Sequence, residues 1–356
     1  MRKLILLSAC AVAALSSCAR TEVPSVQKEI SFRTVNRVQT KAAGVEYTGG
    51  DFGTYAWFNG TDEFMLNETI GLSAGEWKAI VNSFYWPKTG SIDFISYSPF
   101  SGSNGAADST PAVTQTAITY TDVTVDGNTD LLYADKVTCS ANVDDITDDA
   151  SPESGFEGVP TFFRHALAKI SFCVQATFLE YGTAPDKTTW EVTLKKAVLK
   201  GVYNQGSCAL TLNGADWDKP AGEIWTPSAS ATTLAAQDLA PSAGLVLTTS
   251  AQPLEALAQS YIMPQTFETG QQQLELSFDI KTTLANGNII NETYATTLDL
   301  KSAIASLKIN QNLVYTIRFK PVKYVSTYDD PTDAVITFDP AVADWETVSA
   351  SATVSI

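Results

Sequence analysis

Apolar side chains recur at every second position along most of this chain, and a period of two commits a sequence to β-sheet. Successive side chains on a strand point to opposite faces, so one-sided alternation describes a strand with one face in a core. The pattern runs through Phe52-Gly53-Thr54-Tyr55-Ala56-Trp57, Ile92-Asp93-Phe94-Ile95-Ser96-Tyr97 and Trp190-Glu191-Val192-Thr193-Leu194. It returns in Leu274-Glu275-Leu276-Ser277-Phe278-Asp279-Ile280 and Leu313-Val314-Tyr315-Thr316-Ile317-Arg318-Phe319. Turn clusters separate these runs, among them Pro87-Lys88-Thr89-Gly90, Asp126-Gly127-Asn128 and Asn286-Gly287-Asn288. Many short strands at such spacing predict an all-β protein built of sandwiches. Helix is confined to two short candidates, Lys301 to Leu307 opened by Asp299 as a cap, and Leu254 to Ser260.

A chain of 356 residues exceeds what one core usually organises, which predicts two domains. The seam falls between Val143 and Val159, where Asp144, Asp145, Asp148, Asp149, Glu153 and Glu157 replace apolar periodicity. Calcium is an alternative use for these acids, but their spacing does not follow the alternate ligands of an EF-hand loop.

The N-terminus carries an address. Met1-Arg2-Lys3 is a basic lead and Leu4 to Leu15 an apolar stretch too short to span a bilayer, which together describe a signal peptide over residues 1–17. It ends in Leu15-Ser16-Ser17-Cys18, which resembles a bacterial lipobox, so Cys18 is the expected lipidated terminus of an exported chain. Cys139, Cys173 and Cys208 then remain, an odd set that cannot all pair internally.

Composition removes several function classes. A net charge of −16 and a pI near 4.4 exclude nucleic acid as a partner, since phosphate contact needs a positive surface. A single histidine, His165, leaves no histidine-pair metal site, and its apolar surroundings suit a packed, hydrogen-bonded residue. No nucleophile elbow, Walker loop or zinc motif occurs, so the chain is read as a non-enzyme without a cofactor or metal. Two other classes stay open. Trp57, Trp77, Trp86, Trp190, Trp217, Trp225 and Trp345 could stack on sugars in a lipid-anchored glycan-binding sandwich, although tryptophans in strands more often fill cores. A secreted carboxylate hydrolase is the third reading, with no spacing that nominates an acid pair.

An ordered set of motifs runs through the whole chain. After the lipobox come Phe52 to Trp57, Tyr85-Trp86-Pro87, Asp93 to Pro99 and Asp130-Leu131-Leu132-Tyr133-Ala134. Phe163-Arg164-His165-Ala166-Leu167-Ala168-Lys169-Ile170-Ser171-Phe172, Tyr261-Ile262-Met263-Pro264-Gln265, Phe338-Asp339-Pro340 and Trp345 complete it. Together they resemble the fimbrillin family of Bacteroidales lipoproteins, the type V pilins. The resemblance implies two transthyretin-like β-sandwich domains in tandem, at residues 42–158 and 159–356. It implies an outer-membrane lipoprotein precursor whose propeptide, residues 18–41, is removed by a trypsin-like protease. The product would be a cell-surface fimbrium that supports adhesion by strand exchange. Lys41 is then the scissile residue, Ala42 the new N-terminus and Arg37 the reserve. The implied partners are other copies or related pilin subunits, the protease, outer-membrane lipid before processing, and a host or bacterial surface receptor.

Two segments carry that scheme in their own patterns. Ile30 and Phe32 face one way, as in a strand seated in a sandwich, and the basic residues follow it; an ordinary first strand is the alternative. At the other end, Val348, Ala350, Ala352, Val354 and Ile356 share one face of an uninterrupted alternation over residues 346–356. That stretch is the expected donor strand, or else the strand that closes its own domain.

Overall fold

The computed structural model describes residues 25–34, 47, 49–87, 89–100, 110–140, 158–212, 222–257, 261–321, 335–338, 341–342 and 352–355, with 25–28, 34, 140 and the last three segments as backbone only. The protein is all-β, as its alternation predicts, and its strands form three layers of core in series.

The largest sheet has nine strands. Along it run Val159–Thr161, Ser31–Thr34, Glu76–Ala79, Asp62–Ser73, Phe52–Phe58, Ser91–Ser98, Leu132–Ala134 and Phe163–His165, with Val137–Ser140 also paired to Ser91–Ser98. One face packs a core containing Phe32, Phe52, Ile70, Phe84, Trp86 and Phe94. Trp57, Ile95 and Tyr133 lie in a second core, against a four-stranded sheet of Ala112–Val113, Ala117–Thr124, Gln205–Thr211 and Thr226–Pro227. The sheet is therefore covered on both faces at its centre, and every residue from Phe94 to Ser98 is buried. The one-faced reading of Ile92 to Tyr97 was incomplete for this reason. Its polar members are satisfied in place: Thr54 and Ser96, cross-strand partners, share a buried hydroxyl–hydroxyl hydrogen bond of 2.8 Å.

The third core is a sandwich. Gln252–Pro253, Lys169–Ala176, Asn312–Phe319, Val335–Phe338 and Ala352–Ser355 form one sheet, with Ala341–Val342 also on Asn312–Phe319. Glu180–Tyr181, Thr188–Lys200, Gln273–Thr283 and Ile289–Asp299 lie in order in the other. Trp190, Val192 and Leu194 point inward, then a register shift between Leu194 and Lys196 moves the inward set to Ala197 and Leu199. Such a bulge adds a residue to one strand without turning its apolar side chains out of the core.

The acidic seam expected at the 158/159 boundary does not separate the sheets. Gln205–Thr211 pairs with Ala117–Thr124 across it, and Val159–Thr161 and Phe163–His165 lie in the nine-stranded sheet. Among the described residues the expected helices are absent. Leu300–Ser302 forms a single 3-10 turn, and Ser306–Leu307 then pairs with Gln265–Thr266. Asp299 makes no cap; its Oδ1 accepts from the Gly270 N–H at 3.2 Å and from Gln273 Nε2 at 2.9 Å. Residues 254–257 carry no helix, and 258–260 lie outside the described residues.

Candidate functional site

The segment Ser25 to Thr34 is held in two places. Ser25–Glu29 pairs antiparallel with Tyr85–Pro87, and the chain then passes at Ile30 into the nine-stranded sheet. There Ser31–Thr34 lies between two strands, parallel to Val159–Thr161 and antiparallel to Glu76–Ala79. It is an interior strand made from the first described residues of the chain. Withdrawing it would leave two rims of unpaired backbone groups facing each other.

Both side chains that the alternation singled out are buried, Ile30 at 1% and Phe32 at 4% exposure. The Ile30 N–H donates to the Phe84 carbonyl at 2.8 Å. Phe32 meets Phe52 and Phe94 edge-on, with ring centroids 5.8 and 5.7 Å away and interplanar angles of 86° and 87°. That is the T-shaped geometry favoured by the aromatic quadrupole. Gly158, just before the rim strand, has φ +110°, which side-chain-bearing residues rarely adopt, and a Cβ there would press against the Arg33 nitrogen at 3.0 Å. Lys78 on the opposite rim pairs with Glu29 at 3.1 Å. With both side chains about 30% exposed, that pair contributes little, so packing rather than charge holds the strand.

Cys139 lies in the same core, and burial pushes its thiol up to about 12 against the opposing pull of the Arg33 charge. Tyr47 completes the site, and sequence reasoning missed it. Its ring lies 4.8 Å from Phe163, 5.5 Å from Trp77 and 6.1 Å from Phe52. The hydroxyl donates to the Gly50 carbonyl at 2.7 Å and lies 2.8 Å from Ser98 Oγ. Burial raises the Tyr47 pKa, the Ser98 hydrogen bond opposing it. A lone aromatic outside any alternating run was the available signal.

Ala352–Ser355 sits at the edge of its own sheet, antiparallel to Val335–Phe338, with Ala352 opposite Phe338 and Val354 opposite Ile336. Cys18, Arg37, Lys41, Ala42, Val348, Ala350 and Ile356 lie outside the described residues.

The remaining candidates have structural roles. His165 Nδ1 bonds Asp130 Oδ2, joining the ends of two paired strands. Trp57, Trp86, Trp190 and Trp225 are buried, and Trp77 packs in the aromatic group beside Tyr47. Trp217 and Trp345 lie outside the described residues. No sugar-stacking platform is present among the described tryptophans. Cys139 and Cys208 are buried, Cys173 is partly exposed, and all three are free thiols.

A family profile described as fimbrillin-like matches residues 40–345. A fimbrial protein from Bacteroides vulgatus has a similar solved structure, with TM-score 0.54 and 18% identity over 89% of this chain and 99% of that one. The fimbrial anchor protein Mfa2 from Porphyromonas gingivalis aligns at 14% identity and TM-score 0.30, over 90% of this chain and 99% of that one. No curated protein matches in sequence. With its profile match spanning most of the sequence, the chain belongs to the fimbrillin-like family.

Proposed function

We propose that the chain is a structural subunit of a cell-surface pilus, exported as a lipoprotein through Cys18 and matured by cleavage after Lys41, with Arg37 as the reserve site. A trypsin-like protease would release residues 18–41, and a strand from a neighbouring subunit would take the vacated place. The tail at residues 346–356 would in turn be given to another subunit.

The observation that carries this reading is the position of Ser31–Thr34. A segment next to the expected cleavage site sits inside a sheet, with Ile30 and Phe32 buried. A propeptide strand of that kind is expensive to lose unless another strand replaces it, because loss exposes apolar pockets and two unpaired rims. The edge position of Ala352–Ser355 supports the second half, since an edge strand has one ladder to break. The lipid-anchored glycan-binding reading loses support as the described tryptophans are committed to packing.

The test is to shear appendages from cells that produce the chain and analyse them by electron microscopy and unheated gel electrophoresis. A pilus subunit enters filaments and gives a detergent-resistant ladder. A chain found only as a lipidated monomer in the membrane fraction contradicts the proposal.

A further inference from the structure

The strand now seated in the groove is a template for whatever replaces it. Its inward pair is a branched aliphatic and, two positions on, an aromatic: Ile30-Ser31-Phe32. The aromatic slot is specific. Phe32 is 4% exposed and held edge-on by two rings at nearly perpendicular angles, an arrangement that an aliphatic side chain can fill in part but cannot reproduce.

The chain's own tail does not carry that pattern. The apolar face of residues 346–356 holds Val348, Ala350, Ala352, Val354 and Ile356, with no aromatic in any register or direction. The nearest aromatic, Trp345, falls on the opposite parity and would face away from the slot. A donated copy of this tail therefore leaves the Phe32 slot underfilled, and a buried cavity of that kind weakens binding.

Resting on the strand-exchange reading above, we infer that this groove receives a strand from a different subunit, one whose donor segment presents a branched aliphatic followed two residues later by an aromatic. The joint is heterotypic: the tail of this chain fits a groove with smaller pockets on another partner. Glu29, immediately before Ile30, pairs with Lys78 on the rim, so an acidic residue just ahead of the aliphatic position suits the same partner.

The experiment uses the chain freed of its signal and cleaved with trypsin in the presence of synthetic peptides, the cleavage being verified by mass. One peptide is the native tail 346–356. A second carries Ala350→Ile with Ala352→Phe, which around Ser351 recreates the Ile30-Ser31-Phe32 order. The third carries Ser351→Phe alone, placing an aromatic on the wrong face. None contains a trypsin site. Native mass spectrometry reads the complex with the cleaved chain. The double variant is expected to bind at least about tenfold more tightly than the native tail, with no gain for Ser351→Phe. Equal binding of the native tail and the double variant, or an equal gain for Ser351→Phe, overturns the inference while leaving strand exchange intact. Failure of all three peptides to bind the cleaved chain overturns both.

Discussion

Replacing Phe32 with alanine tests whether the N-terminal strand holds the large sheet closed. The side chain is almost fully buried, touches the rings of Phe52 and Phe94 edge-on, and belongs to a core that also holds Met65, Ile70 and Trp86. Truncating a buried phenylalanine costs about 3–5 kcal/mol, the transfer loss plus the cavity left behind. The backbone on both sides is pinned by Val159–Thr161 and Glu76–Ala79, so collapse around the hole is limited and the upper half of that range applies. For a unit of roughly 150–250 residues each kcal/mol lowers the melting temperature by about 2–4 °C, which gives a fall of about 8–20 °C in the unfolding of the uncleaved chain. The assay is thermal denaturation of the chain lacking its signal, followed by tryptophan fluorescence because Trp86 lies in the same core. Ser31→Ala, on the adjacent half-buried position, is the control and should shift the transition by under about 1 kcal/mol. A Phe32→Ala variant that melts with the native chain would show that the strand contributes nothing to the fold, and the groove argument would fall with it.

Other predictions follow from separate features. Cys18→Ala should abolish palmitate labelling and membrane association; unchanged labelling contradicts lipidation at that residue. Deleting residues 346–356 should leave a folded, processed chain that receives a strand but gives none, so the pilus ladder shortens; an unchanged ladder excludes donation. Thiol alkylation at pH 8 should modify Cys173 first, because Cys139 and Cys208 are buried and burial pushes both thiols up to about 12. Below that value the thiolate fraction grows about tenfold per pH unit, so any residual labelling of the buried pair should rise with pH. Removal of the N-terminal segment should raise the Cys139 rate and leave Cys208 unchanged, since only Cys139 shares its core with Phe32. Equal rates before and after cleavage contradict an opened groove.

Much of this was legible in the alternation, and its failures have physical causes. Ile30 and Phe32 declared a buried face because two apolar residues at a spacing of two in a polar run fit one side of a strand. His165 was read correctly as a bonded structural residue, with Asp130 as the partner that the sequence could not name. Burial of Ser96 and Thr54 was not legible, because a hydroxyl satisfied by another hydroxyl looks like an outward polar position. Sheet sharing across the acidic seam was hidden as well. Pairing between Ala117–Thr124 and Gln205–Thr211 is non-local, and each strand alone specifies a face but not a neighbour. The segment after Asp299 had a helical spacing of apolar residues, yet Leu300, Ala303 and Leu307 reach the core through a turn and a short strand instead. Tertiary contact outweighed local preference there.

The central claim is that a strand seated inside the sheet is cut away and replaced when the subunit assembles. N-terminal sequencing of the chain recovered from sheared, purified pili tests it most directly. The account predicts a sequence beginning Ala42-Ala43-Gly44, with residues 18–41 absent from the filament. Polymerised material that still begins at Cys18 would contradict it.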